Sequence, residues 1–184
     1  LSGDVPLLDV TSISELVEMH RVSSNAATLI STIMDNPNGY GRVLRSKENL
    51  TGIVEQKDAT LEEQKIQEVN TGVMAIRTDR LQEWLPQIEN DNAQNEYYLT
   101  DLIAIANREG IIIKSVQPGC LQEVEGVNTR IQLSELERFY QYEKAKDLMF
   151  NGATLADPRR VEIRGELNCG MDNFIDINAV FVGQ

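Results

Sequence analysis

Apolar positions along the chain switch repeatedly between a period of two, typical of strands, and a period near 3.6, typical of helices. Turn-forming residues separate these segments, most clearly over residues 35–41. This alternation predicts an α/β domain. The predicted elements are a helix from Ser12, strands Ala26–Met34, Arg42–Arg45, Leu50–Glu55 and Glu68–Ile76, helices from Thr78 and over Thr100–Arg108, strands Ile111–Val116 and Cys120–Val124, and a helix from Ser134 to Phe150.

Several helix starts are assigned from side chains that can bond to exposed backbone N–H groups. Three pairs have the spacing of a capping box, in which a hydroxyl and a carboxylate three residues apart bond reciprocally to the backbone. Thr78 is a further candidate cap, and Trp84 falls on the apolar stripe of the helix that follows, so it is expected in the core. The three pairs are Ser12 with Glu15, Thr60 with Glu63, and Ser134 with Glu137.

A different pattern begins after Arg160, where two series of residues recur every six positions. Seven of the eight residues are apolar, which predicts inward-facing positions. A six-residue period is typical of a parallel β-helix with one short strand per repeat, and chance alternation is the alternative. The two series are Val161, Leu167, Asn173 and Ala179, and Ile163, Cys169, Ile175 and Phe181.

Composition narrows the classes of function. The net charge of -12 argues against nucleic acid, because phosphate-backbone binders need a basic surface, but a bridging divalent cation would still allow nucleotides. No apolar run approaches the roughly 18 residues of a membrane span, and the N-terminus has no secretion signal. Cys120 and Cys169 have no zinc-site spacing and are expected to be buried thiols of a cytoplasmic protein.

The N-terminus itself predicts a fragment. The run from Leu1 to Leu8 has no initiator Met and is typical of a buried strand that enters a loop. A native terminus that starts inside a core strand would be unusual, since termini are normally exposed.

Seven motifs in order carry a resemblance to a known family. The chain resembles the uridyltransferase domain of the bacterial bifunctional N-acetylglucosamine-1-phosphate uridyltransferase and glucosamine-1-phosphate acetyltransferases, and the resemblance covers essentially all 184 residues. The motifs are residues Gly3–Leu7, Asn38–Arg42, Gly52–Thr60, Glu68–Gly72, Asn92–Gln94, Glu96–Asp101 and Glu123–Asn128.

The resemblance implies an architecture and its division along the chain. It implies the later part of an incomplete Rossmann-like nucleotidyltransferase domain over residues 1–130, with a mostly parallel sheet. A linker helix would follow over residues 131–152. Residues 153–184 would be the start of a left-handed parallel β-helix, which in the family forms homotrimers.

The resemblance also implies a reaction and a set of site residues. The reaction transfers UMP from UTP to N-acetylglucosamine 1-phosphate, giving UDP-N-acetylglucosamine and pyrophosphate, with Mg²⁺. Such a transfer needs positioning and charge neutralisation more than acid–base chemistry. By resemblance, Asp4 and Asn128 hold the magnesium ion. The substrate-binding residues are Gly3, Asp4, Gly41, Glu55, Asn70, Thr100 and Asn128, with Gly41 offering its backbone N–H to the sugar and Glu55 and Asn70 bonding to the sugar's polar groups.

Departures from the family pattern limit what is expected of this chain. The 184 residues contain no Gly-rich loop to hold the UTP phosphates, so little or no turnover is expected from the chain alone. Asn95 stands where the family usually has glycine, and asparagine is the non-glycine residue best tolerated at positive φ. His20 lies in the wrong region to be the acetyltransferase base.

Other readings remain open. One is a non-catalytic fragment that binds sugar phosphate weakly or self-associates, and another is a pyrophosphorylase for a different sugar. Core packing is expected for at least one of Tyr97 and Tyr98. Lys57 either meets a phosphate or pairs with Asp58.

Overall fold

The structure of the protein is a computed structural model that describes residues 3–22 and 25–183. The chain divides into two compact units, Leu1–Glu125 and Gly126–Gln184. Helices and strands alternate in the first unit, so the predicted mixed α/β class is confirmed. The functional boundaries expected after residues 130 and 152 stay predictions. No helix in the described ranges is long and apolar enough to cross a membrane.

The first unit is built around one five-stranded sheet. The strand order is β3-β2-β4-β1-β5, and among the described strands of this sheet only β5 runs parallel to its neighbour. The expectation of a mostly parallel sheet is therefore wrong for this part of the chain. A short turn joins β2 to β3 as a hairpin, and β4 runs antiparallel to both β2 and β1. The elements are α1 (Val10–Val22), β1 (Ala27–Ile33), β2 (Arg42–Ser46), β3 (Asn49–Val54), β4 (Glu68–Ile76), α2 (Thr78–Trp84), α3 (Asp101–Arg108) and β5 (Lys114–Val116).

Strand β1 is buried on both faces. Leu29 points into a core formed with β3 and α3, whereas its neighbour Ile30 packs on the opposite face with Leu16 of α1. Successive side chains of a strand point to opposite faces, so the continuous apolar run of β1 requires cover on both sides. Trp84 is fully buried against the first of these cores, as predicted.

The predicted starts of α1 and the last helix are wrong. Helix α1 begins at Val10, and the backbone N–H of Thr11 donates to Asp9 Oδ1 at 2.6 Å. Ser12 is buried inside the helix and donates to Glu123 instead. The last helix begins at Arg130, not Ser134, because Thr129 and Gln132 form its capping box.

Three smaller predictions also have definite outcomes. Thr60 and Glu63 do bond reciprocally, ahead of a short 3-10 helix. Thr78 is the first residue of α2 but caps nothing, since no side-chain cap is present there. The strand predicted over Cys120–Val124 is a 3-10 helix over Leu121–Val124.

The ends of two other expected strands differ as well. Strand β5 begins at Lys114 rather than Ile111, because α3 ends in a turn in which the Ile111 N–H still bonds to Ala106. A strand end was also expected over residues 1–8. Residues 1–2 lie outside the described part of the chain, and residues 3–4 and 6–7 form turns instead of a strand. Cys120 and Cys169 are unpaired and only partly buried.

One ion pair ties four strands of the sheet together. Arg45 of β2 makes two hydrogen bonds of 2.7 Å to the Glu68 carboxylate of β4. Arg45 also donates to Ser115 of β5, and Glu68 accepts from Ser31 of β1. Burial by itself would raise the pKa of Glu68, but the hydrogen bonds from Arg45 and Ser31 outweigh it and the pKa is lowered. The network therefore stabilises the ionised carboxylate.

We expect Glu68→Gln to lower the free energy of unfolding by about 1–3 kcal/mol at neutral pH, since it removes the charge of a half-buried carboxylate that makes two hydrogen bonds to Arg45. A lowered folded-state pKa means that this stabilisation is present above about pH 4.5 and is lost as the pH falls through the lower folded-state value. The difference between variant and wild type should therefore narrow on acidification, as measured by urea unfolding. Glu62→Gln, in an exposed pair with Lys65, is the matched control and should change little. A difference that stays constant with pH would contradict the assignment.

The second unit consists of a long helix followed by short parallel strands. Partners in β7 and β9 are 18 residues apart, with Val161 opposite Ala179 and Ile163 opposite Phe181. All seven apolar members of the six-residue series lie in or against the core of this unit, while Asn173 is exposed. The left-handed β-helix itself stays a prediction. The elements are α4 (Arg130–Phe150), β6 (Thr154–Leu155), β7 (Val161–Arg164), β8 (Phe174–Ile175) and β9 (Ala179–Val182).

Candidate functional site

The first part of the candidate site is the loop that leads into β2. Gly39 has φ +89°, a left-handed conformation that favours glycine. Gly41 is buried, and its carbonyl accepts a 2.9 Å hydrogen bond from the backbone N–H of Asn70. A Cβ on Gly41 would lie only 3.2 Å from both carboxylate oxygens of Glu55. The loop therefore passes close to Glu55 only because residue 41 has no side chain.

The second part joins the end of β3 to the start of α3. Glu55 follows directly after β3, and its Oε1 accepts a 3.0 Å hydrogen bond from Thr100 Oγ1. Thr100 is buried and is the residue immediately before α3. Its hydroxyl makes no capping bond, so it bonds across to the strand end instead. This bond orients one oxygen of the Glu55 carboxylate.

Asn70 completes the group from β4. Its side-chain oxygen accepts a hydrogen bond of 3.2 Å from Gly72 N–H, which leaves the side-chain NH₂ group to donate elsewhere. Four predicted sugar-binding residues from separate segments are thus brought together: Gly41 contacts Asn70 and Glu55, and Glu55 contacts Thr100.

A cavity of about 310 Å³ opens beside Glu55. Its lining is acidic, and burial, followed by the charge of Asp58, raises the pKa of Asp101. Carboxylates accept hydrogen bonds from hydroxyls but repel a bare phosphate, so the cavity suits the neutral ring of a sugar better than its phosphate. The lining residues are Ile53, Val54, Glu55, Asp58, Glu89, Asp91, Asn92, Tyr98 and Asp101.

The segment that precedes α3 is fastened to the residues after Glu55. Asp58 accepts a 2.8 Å hydrogen bond from Ala93 N–H, and Lys57 donates to Gln94, which in turn donates to the Tyr98 hydroxyl at 2.8 Å. Lys57 makes no ion pair with Asp58 among the described side chains, so that alternative is wrong. These bonds hold Tyr98 at the cavity.

Asn95 lies in the same segment and has φ +54°, the left-handed conformation expected where the family has glycine. Tyr97 is 71% exposed, and Tyr98 is half-buried at the cavity. Neither belongs to a hydrophobic core cluster of the described residues, so the core packing expected for at least one of them stays a prediction.

The predicted metal ligands lie in different units. Asp4 is an exposed turn residue of the first unit, next to Gly3. Asn128 is exposed in the second unit, and its backbone N–H bonds to Gln132 Oε1. A carboxylate and an amide oxygen are the hard donors that Mg²⁺ prefers, so their chemistry fits. Among the described residues, no group of three His, Cys, Asp or Glu side chains could hold a metal ion.

A larger cavity of about 680 Å³ lies in the second unit, between α4 and β7. Its main polar side chains already have partners. The Gln141 amide bonds to both the N–H and the C=O of Ile163, and Lys144 donates to the carbonyls of Ile163 and Gly165. These groups complete the backbone bonding of β7, so the cavity is the weaker candidate for a ligand site.

Comparison with curated proteins tests the resemblance. The chain is 51% identical over 185 residues to the bifunctional protein GlmU of Marinobacter nauticus, 49% identical to that of Saccharophagus degradans and 51% identical to that of Idiomarina loihiensis. Each match takes in all of this chain. The chain is similar along its whole length to a segment of these bifunctional proteins. The resemblance predicted from the seven motifs is thus confirmed, and the chain spans 40% of the length of each relative.

The fold has a counterpart among solved structures. A structure of CMP:2-keto-3-deoxy-manno-octonic acid synthetase complexed with CTP matches with a TM-score of 0.50 and 16% identity, over 78% of this chain and 61% of that one. No family model matches the chain. At this identity the likeness concerns the fold alone.

Proposed function

We propose that this chain supplies the sugar-phosphate side of a site that transfers UMP from UTP to N-acetylglucosamine 1-phosphate, giving UDP-N-acetylglucosamine and pyrophosphate. The observation that carries the proposal is the meeting of Gly41, Asn70 and Thr100 around Glu55, which lines an acidic cavity of sugar size. The 51% identity to bifunctional GlmU proteins supports it. The complete activity of these relatives belongs to longer chains, and these 184 residues span only 40% of their length.

The proposed roles follow from the donors and acceptors that remain. Thr100 holds one Glu55 oxygen, so the other is available to accept from a sugar hydroxyl. The Asn70 NH₂ group would donate to the acetamido carbonyl, and the Gly41 N–H to a further sugar oxygen. A site built of fixed polar groups rejects a sugar that leaves them unpaired.

Phosphate transfer requires positive charge to neutralise the phosphates, and the lining of the acidic cavity contains no lysine or arginine. An oxygen of the sugar phosphate would attack the α-phosphorus of UTP, forming the new P–O bond as the bond to pyrophosphate breaks. We propose Asp4 and Asn128 as the ligands of a Mg²⁺ ion, which would neutralise the phosphates during this exchange. Cytoplasmic nucleotide pools would supply UTP, so a cytoplasmic location belongs to the same proposal.

Binding of two sugar phosphates provides the test. We expect the chain to bind N-acetylglucosamine 1-phosphate more tightly than glucose 1-phosphate, by about fivefold, because the acetamido group adds a hydrogen bond. NMR titration of the 184-residue chain measures both affinities. Equal affinities would contradict the choice of sugar, and absence of binding to either would contradict the proposed site.

Turnover is assayed on the same chain with UTP, N-acetylglucosamine 1-phosphate and Mg²⁺. We expect no measurable pyrophosphate release, since the 184 residues contain no Gly-rich loop for the triphosphate. Asp4→Ala is the control. Release that disappears in this variant would contradict the expected inactivity and support Asp4 as a metal ligand.

A second candidate function is self-association through the second unit, and one observation favours it. Val180 and Val182 of β9 are 56% and 75% exposed, on the face of the strand away from the core. Exposed apolar strand residues favour pairing with another copy. Trimerisation through a left-handed β-helix, which the family resemblance implies, is the corresponding proposal. A monomer by light scattering at high concentration would contradict this second candidate.

A further inference from the structure

Arg42 is an arginine without a charged partner inside the first unit. Its side chain is fully buried at the first position of β2, paired with Val54 of β3 and Val69 of β4. Among the described residues no carboxylate lies within ion-pair distance of it. Burial lowers the pKa of its guanidinium, as expected for a cation removed from water. Burying a charge without a charged partner is unfavourable, so the hydrogen bonds that Arg42 makes must matter to the fold or the site.

Those hydrogen bonds all lead to the loop at the candidate site. Arg42 Nη1 donates to the carbonyl of Tyr40, and Nη2 donates to Gln56 Oε1 at 2.6 Å. The same oxygen of Gln56 accepts from Gly39 N–H at 3.3 Å. Arg42 Nε has no partner in the described part of the chain. Gln56 therefore holds the guanidinium and the loop with one atom.

The bonded loop residues flank the position that must approach Glu55. Gly39 is in the left-handed conformation, and Gly41 is as close to the Glu55 carboxylate as a residue without Cβ permits. Gln56 follows Glu55 in the chain, so a single segment carries both the sugar-binding carboxylate and the loop's anchor. A movement of Gln56 would change the distance between loop and carboxylate.

We propose that Arg42 and Gln56 are positioning residues that hold residues 39–41 against Glu55 and thereby set the geometry of the sugar site. This inference rests on the proposed function. Neither side chain needs to touch the sugar, because both act through the backbone of the loop. A substitution that removes or displaces the acceptor oxygen of Gln56 should therefore change sugar affinity and the mobility of the Gly39 amide together.

The test compares three substitutions of Gln56 by NMR titration with N-acetylglucosamine 1-phosphate. Gln56→Met removes the acceptor oxygen, and we expect it to weaken binding about five- to tenfold, the effect of losing one or two hydrogen bonds that involve a charge. Gln56→Asn draws the oxygen back by one methylene but remains polar, and it should weaken binding to a similar extent. It provides the same test if the methionine variant does not fold. Gln56→Glu keeps acceptor oxygens at full length and should bind like wild type. Gln82→Met, on the exposed side of α2, is the matched control and should also bind like wild type.

Hydrogen exchange of the ligand-free chain gives a readout that does not depend on the sugar. The Gly39 amide should exchange faster in Gln56→Asn than in wild type, and at the wild-type rate in Gln56→Glu. Wild-type affinity in both the Met and Asn variants, or weakened binding in Gln56→Glu, would overturn the proposal. If wild type itself binds no sugar phosphate, the proposed function fails and the positioning role fails with it. An unchanged Gly39 exchange rate in Gln56→Asn would separately show that the loop is not held by Gln56.

Discussion

Replacing Gly41 with alanine is expected to weaken binding of N-acetylglucosamine 1-phosphate by about tenfold or more. The new Cβ would lie 3.0 Å from Ile53 Cγ2 and 3.2 Å from both Glu55 oxygens. Ile53 is buried in a close-packed core and cannot move far, so the Glu55 carboxylate would have to shift. That shift would break its 3.0 Å hydrogen bond to Thr100. NMR titration measures the loss of affinity, which corresponds to about 1.4 kcal/mol per tenfold change.

Gly52→Ala is the matched control for this substitution. Gly52 is also a buried glycine beside the same core, but a Cβ there would meet only Leu44 at 3.8 Å and Ala104 at 3.9 Å, which are ordinary contacts. We expect wild-type affinity in this variant and a small gain in stability from the reduced freedom of the unfolded chain. An affinity of Gly41→Ala within twofold of wild type would show that the approach of loop and carboxylate is not part of the sugar site.

Local signals predicted those elements whose boundaries are decided locally. Strand β4 is observed over the predicted residues, Glu68–Ile76, because its apolar residues and flanking turns agree. The start of α4 was missed because the pair Ser134 and Glu137 has the same capping-box spacing as the pair that is used, Thr129 and Gln132. Which of two such pairs caps a helix depends on where the chain enters it, and that is decided by tertiary packing rather than by spacing.

Sheet direction could not be predicted from any one segment. The strand patterns of β1 and β4 are the same whether the two run parallel or antiparallel, so only the tertiary arrangement of the sheet fixes their relative direction. The resemblance implied a mostly parallel sheet, which the described strands of this segment do not form.

The residues of the candidate site also fall into a predicted group and a group that was not predicted. Gly41, Glu55, Asn70 and Thr100 came from the resemblance, and the structure brings them together. The residues that support them were not predicted, because each bond joins side chains far apart in the sequence. Gln56 bonds to Arg42, 14 residues away, and Lys57 bonds to Gln94, 37 residues away. The sequence signal for such a partner is Arg42, a charged residue at the first, buried position of β2.

Trp84→Ala is expected to lower the free energy of unfolding by about 3–5 kcal/mol, a large part of the 5–15 kcal/mol typical of a domain. Trp84 is the largest fully buried side chain, and its removal would leave a cavity in the core that β1, β3 and α3 share. Urea unfolding followed by circular dichroism measures the change, since the variant lacks the chain's one tryptophan.

Two further variants separate the cavity from the hydrogen bond that Trp84 Nε1 donates to Glu109 at 3.1 Å. Trp84→Phe keeps most of the apolar volume and loses the hydrogen bond. Because Glu109 is exposed and water can replace the lost donor, we expect a cost of about 1–2 kcal/mol. Leu85→Ala, next in the chain and 46% exposed, should cost about 0.5 kcal/mol or less. Equal losses in the alanine and phenylalanine variants of Trp84 would assign its contribution to the hydrogen bond rather than to the packing of the core.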